Sequence, residues 1–121
     1  MTAWSVEDHL RGKPAEVRQL YEAFERLVEA CGPVGRSVTK TAIVFSGRVR
    51  GFAGVTPRRT GLAGFLDLMQ PAREPPFTRA SPYTRRLWVN RFSVHTIDDL
   101  DAGFAARVSE AYAVGAGAHR T

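Results

Sequence analysis

Lys40 is one of only two lysines in a chain whose other fifteen basic residues are arginine. It stands between Thr39 and Thr41 in a β-branched stretch. A compact ammonium has a tunable pKa and can act as acid, base or anion contact where a guanidinium cannot always replace it. Asn90 is the second unusual residue. On a strand it shares a side with Trp88 and Phe92, which makes it either a buried structural amide or a polar group in a pocket. Lys40 and Asn90 together could line a small-molecule or enzymatic pocket between a sheet and its helices. Asp67 and Glu74 are the only carboxylates between residues 31 and 97. Asp67 is expected to pair with a neighbouring arginine rather than to perform acid–base chemistry. His9, His95 and His119 have no metal-ligand spacing, and one cysteine cannot build a Cys-rich zinc site. Cys31 falls on an apolar helical stripe and reads as a packed thiol. No Gly-rich dinucleotide loop, phosphate-binding loop or nucleophile elbow is present in the sequence. These residues name no catalytic group, no metal site and no cofactor.

The arginines offer a different chemistry. Residues 31–97 hold eleven basic side chains against two acidic ones, whereas residues 1–30 and 98–121 each carry two more acidic than basic residues. A strongly positive centre between mildly acidic ends attracts polyanions or acidic ligands. The alternative is arginine-rich composition alone. The candidate binding residues are Lys40, Arg48, Arg50, Arg58, Arg59, Arg85, Arg86, Asn90 and Arg91, with Phe52, Tyr83 and Trp88 interleaved. Basic groups and aromatics on a sheet could grip phosphates and stack bases. No helix-turn-helix or RNP-type signature accompanies them.

The elements that must position these residues follow from periodicity. Ser5 and Asp8 resemble a capping box opening a short helix over 6–11. Pro14 suits the first turn of a second helix, over 14–31, in which Val17, Leu20, Tyr21, Phe24, Leu27, Val28 and Cys31 form one apolar stripe. Strands are expected over 39–46, 48–56, 62–69 and 85–94, with a doubtful edge strand over 77–83 because Pro82 cannot donate to a ladder. Pro57 to Gly61 and the proline-rich 70–76 read as turn and loop. Thr96 and Asp99 give a second capping signal before a last helix, 97–114. The expected architecture is α+β: a two-layer sandwich with an antiparallel sheet of four to five strands and the N- and C-terminal amphipathic helices on one face. Trp88 is expected in the core, beside Phe92 and Val94.

The chain of 121 residues has room for a single core, so one domain over 1–121 is expected, with 1–4 and 116–121 as fraying ends. No apolar run reaches the length of a membrane span and no signal peptide opens the sequence. The lone cysteine fits a reducing, cytoplasmic setting. Oligomeric state is not legible.

Four segments, read in order, resemble a bacterial family. They are Ser5–Pro14, Thr39-Lys40-Thr41-Ala42-Ile43-Val44-Phe45, Arg50-Gly51-Phe52-Ala53-Gly54 and Glu110-Ala111-Tyr112-Ala113-Val114-Gly115. The family is domain of unknown function 5655, and the resemblance covers nearly the whole chain. It implies a compact α+β domain, alone or appended to others, and no established activity or catalytic residue. Where similar proteins have histidine, this chain has Asn90 and Arg91, which speaks against histidine chemistry on that strand. The function expected is a non-catalytic binding module for a polyanion such as nucleic acid. The rival expectations are the Lys40–Asn90 pocket and a protein-interaction domain.

Overall fold

The computed structural model describes residues 3–120. Helix α1 (Val6–Leu10) opens on the expected capping box, in which Ser5 and Asp8 satisfy each other's backbone N–H groups. Helix α2 (Ala15–Glu29) follows Pro14 and buries Val17, Leu20, Tyr21, Phe24 and Val28, the centre of the expected stripe. Six strands come next: β1 (Gly35–Val38), β2 (Ile43–Ser46), β3 (Gly51–Arg58), β4 (Gly61–Leu68), β5 (Phe77–Thr84) and β6 (Leu87–Val94). A 3-10 turn at Ile97–Asp99 precedes helix α3 (Ala102–Gly115), and a second one spans Ala118–Arg120. The strands form one antiparallel sheet in the order β1-β2-β3-β4-β6-β5.

The protein is therefore α+β with an antiparallel sheet, but of six strands rather than four or five. The extra strand is β1, Gly35–Val38, ahead of the expected strand over 39–46, of which only Ile43–Ser46 is a strand. Thr39 Oγ1 accepts the N–H groups of Thr41 (3.3 Å) and Ala42 (3.2 Å), and the turn they make separates β1 from β2. Side-chain capture of backbone donors has outcompeted the ladder there. Pro57 lies within β3 rather than in a turn. Its strand neighbour β2 has already ended at the Ile43–Val55 pair, so no ladder bond is lost. Residues 77–84 form an edge strand, and Pro82 sits beside a register shift. The last helix does not start at 97: the Thr96–Asp99 box caps the 3-10 turn, and Asp101 caps α3 by accepting from the Phe104 N–H at 2.9 Å.

Helices α2 and α3 share one sheet face. The Phe24 ring of α2 lies 5.8 Å from both Phe45 and Phe92, and Phe104 of α3 lies 5.1 Å from Phe92 and 6.2 Å from Phe24. Around these rings Ile43, Val55, Leu62, Leu66, Leu68 and Val94 are fully buried. A bulge between β2 and β3 adds Phe52 to the same face, where its ring meets Tyr112 edge-on at 5.5 Å. Trp88 departs from expectation. It is half-buried and outside the core, while its neighbour Leu87 is buried. Residues 118–120, read from sequence as part of a frayed end, form a turn held by a hydrogen bond from Arg86 Nη1 to the His119 carbonyl (3.2 Å). Met1, Thr2 and Thr121 lie outside the described residues.

Candidate functional site

The sheet face away from α2 and α3 holds the candidate site. Strand alternation sends every second side chain of β3, β4 and β6 there. Two cross-strand rows result. One runs Val44, Gly54, Phe65, Arg91 and Arg79 across β2, β3, β4, β6 and β5. The other, two residues along, runs Thr56, Ala63 and Ser93. Between them lies a shallow depression of about 410 Å³, also lined by Thr41, Arg58 and Thr78. Small residues make it concave: Gly54 has no side chain, and a Cβ there would stand 2.4 Å from the Phe65 ring. Hydroxyls and guanidinium groups rim it. Arg79 and Arg91 are directly opposite each other, an arrangement that like charges resist. Both are exposed, as is Arg58, and none of the three has a carboxylate partner among the described residues. All are donors, so the depression is chemically matched to an anion.

The turn Thr39–Ala42 borders this depression and is unusually well tied. Thr56 Oγ1 donates to the Thr41 carbonyl (2.5 Å), and the buried His9 ring bonds the Thr39 carbonyl through Nε2 (2.7 Å). Lys40 is exposed at its apex, not shielded in a pocket. Asn90 is fully buried on the helix-facing side of β6. Its Oδ1 accepts the Ala72 N–H (2.6 Å), and its Nδ2 donates to the carbonyls of Gln70 (3.2 Å) and Trp88 (3.1 Å). Two of these bonds clamp the loop after β4, and the third returns to its own strand. Two strands separate β2 from β6, and Lys40 sits in the turn ahead of β2, so Lys40 and Asn90 do not meet.

The remaining candidates lie elsewhere. Arg59 is exposed in the β3–β4 turn beside Arg58. Arg48 is exposed in the β2–β3 turn, at a cleft with Val34 and Tyr112 on the far end of the sheet. Arg85 and Arg86 are exposed in the β5–β6 turn, and Arg86 is engaged with the C-terminal turn. Arg50 is paired as expected with Asp67: Nη2 donates to Oδ2 at 2.6 Å, and the guanidinium sits 5.5 Å from the Tyr83 ring centre. Asp67 is almost wholly buried and its Oδ1 has no partner. Burial pushes its carboxyl above the ordinary value, outweighing the opposite pull of Arg50. Arg50 is thus a structural cation, not part of a free basic surface.

Of the interleaved aromatics, Phe52 is in the core, Trp88 is half-buried and the exposed Tyr83 is covered on one face by Arg50. None shares the depression. Phe65 does, and sequence reasoning missed it along with Arg79. The signal was available: in Leu62-Ala63-Gly64-Phe65-Leu66-Asp67-Leu68 the even positions carry the core, which leaves Phe65 on the other face.

The comparisons with known proteins bear on the fold and not on this face. No curated protein and no solved structure matches the chain. Residues 6–115, from the first residue of α1 to the last of α3, match the family model described as Domain of unknown function (DUF5655). Three of the four segments quoted above fall wholly inside that match and the first begins one residue before it, at Ser5, and the chain belongs to this family.

Proposed function

We propose that the domain is a non-catalytic binding module for a polyanion, with nucleic acid as the partner class, and that the open sheet face is its contact surface. One observation carries the reading: Arg58 and Arg91 line a hydroxyl-rich depression, Arg79 stands opposite Arg91, and among the described residues no carboxylate pairs with any of the three. Lys40 and Arg59 belong to turns at the same end of the sheet and extend the positive edge. The reading narrows the basic middle of the sequence, since Arg36 is bound by Glu25 and Glu29, and Arg50 by Asp67. The single cysteine supports a reducing, cytoplasmic setting. Among the described residues no helix is long and apolar enough to cross a membrane.

Phosphate contacts release condensed counterions, so affinity must fall with salt. The slope is about −0.9 per contact on duplex and about −0.7 on single strands. Labelled duplex and single-stranded oligonucleotides titrated at low and physiological salt test this. Serine at positions 58, 79 and 91 is expected to weaken binding and flatten the slope by roughly one unit per lost duplex contact. Absence of binding at low salt, where the attraction is strongest, rejects the reading.

A further inference from the structure

Phe65 and Phe92 both border the depression, but Phe92 is buried in the core, and Phe65 lies on the open face with its ring over Gly54. It lies outside the hydrophobic core and outside the partly buried side chains packed against that core. Among the described residues no other ring contacts it and no guanidinium stacks on it, whereas Tyr83 carries Arg50 and Phe45 carries Arg36. Its cross-strand neighbours are Gly54 on one side and Arg91 on the other, with Arg79 one strand further. Directly opposed residues sit about 4.5–5.5 Å apart, so the glycine, the ring that lies over it and two cations form one continuous row.

We propose that this row is a nucleotide subsite for single-stranded nucleic acid, in which one unstacked base lies on Phe65 while Arg91, Arg79 and Arg58 take the flanking phosphates. The inference rests on the polyanion reading and adds the strand state of the ligand. A volume of about 410 Å³ is of the order of a single nucleotide, not of a groove that would admit a duplex edge. A duplex keeps its bases stacked on one another, so their faces are closed to the ring. A single strand can turn one base out. Thr41, Thr56, Thr78 and Ser93 line the depression with hydroxyl oxygens; Thr56 and Thr78 spend their protons on the Thr41 and Arg91 carbonyls and so offer acceptor lone pairs to the N–H and O–H groups of any base edge or sugar, which suits sequence-tolerant binding.

Fluorescence anisotropy separates the base from the backbone. The probes are a labelled single-stranded 12-mer, the same strand with abasic sites throughout, the matching duplex, and inorganic polyphosphate as competitor. The wild-type protein is expected to bind the based strand at least about fivefold more tightly than the abasic strand. Phe65→Leu keeps the apolar volume and removes the π face. It is expected to bring the based strand down to the abasic level without changing the salt slope or the competition by polyphosphate, and Phe65→Trp is expected to restore the preference. Equal affinity of the wild-type protein for based and abasic strands overturns the stacking inference and leaves the polyanion reading standing. That comparison needs no variant and is immune to misfolding. If neither strand nor polyphosphate binds at low salt, the polyanion reading fails and this inference with it.

Discussion

Two buried polar side chains, Asn90 and Asp67, sit on opposite faces of the sheet and carry different energetic burdens. Asn90 is neutral and satisfied at both ends of its amide, so it stabilises the loop at residues 70–72 without an ionic cost. Asn90→Asp should preserve shape and reverse one interaction: a carboxylate oxygen would face the Gln70 and Trp88 carbonyls. A loss of about 3 kcal/mol near neutral pH is expected, because a buried charge would be unpaired. Part of it should return on acidification, when the acid protonates and can donate. Thermal melts at two pH values measure both. Asp67 is charged and held by one bond from Arg50. Arg50→Met should cost about 3 kcal/mol at neutral pH by leaving that carboxylate alone. The sign with pH follows from Asp67's raised value. The folded state holds its proton more tightly than the unfolded chain, so stability falls as pH rises above the ordinary carboxylate range and is recovered as pH drops back toward it. His119 also faces Asp67 and, like Arg50, pulls its carboxyl the other way. Asp67→Asn removes the desolvated charge and leaves a partly exposed arginine that can reach water, so it should cost less than about 1 kcal/mol. At this scale the sequence showed that Asp67 needed an arginine and that Asn90 faced the same side as Phe92. It could not show whether Asn90 met a ligand or a loop, because both satisfy an amide equally.

The elements meet at a few close approaches, and these decide how the sheet and α3 dock. Val49 and Arg50 donate their N–H groups to the Gly115 carbonyl at 2.9 and 3.3 Å, which ties the β2–β3 turn to the end of α3. A Cβ on Gly47 would stand 2.7 Å from the Gly115 carbonyl oxygen, and one on Gly115 would stand 2.5 Å from the Phe52 ring. Backbone and a buried ring cannot move aside cheaply. Gly47→Ala is therefore expected to lower stability by about 1–3 kcal/mol, as overpacking does in a close-fitting interior, and denaturant unfolding would register it. An unchanged midpoint would show that the turn shifts freely. Helix α2 and strand β6 were legible because each repeats one period over many residues. The Thr39–Ala42 turn was not, since β-branched residues favour a strand locally and only the Thr39 hydroxyl, His9 and Thr56 tip the balance. The same turn brings two of the family-like segments together: His9 from the first bonds Thr39 in the second.

For the whole molecule, charge and core are divided between the two sheet faces. Helix α2 neutralises part of the basic middle from the core side, through Glu25 and Glu29 on Arg36, while Glu74 and Glu110 hold Arg107 of α3. What remains positive around the depression comes from strands β3, β5 and β6. Composition revealed the excess of arginine, but not which side chains would be consumed by ion pairs, because that depends on contacts such as Arg50 to Asp67 across 17 positions of sequence. The division also makes a prediction about independence. Phe24 lies at the centre of the other face, with no exposed surface and rings of Phe45, Phe92 and Phe104 within about 6 Å. Phe24→Asp places an unpaired charge among them and removes the ring, for a loss of roughly 3 kcal/mol or more. Phe24→Leu instead keeps an apolar side chain there and trades ring contacts for a small cavity, at about 1–2 kcal/mol. It contacts nothing on the open face, so the folded fraction of Phe24→Leu should bind anions with the wild-type salt slope while melting earlier. A Phe24→Asp protein that melts at the wild-type temperature would mean that α2 does not cover a core. A Phe24→Leu protein that stays folded yet shows a flattened salt slope would mean that the two faces are coupled and that the contact surface extends beyond the open sheet.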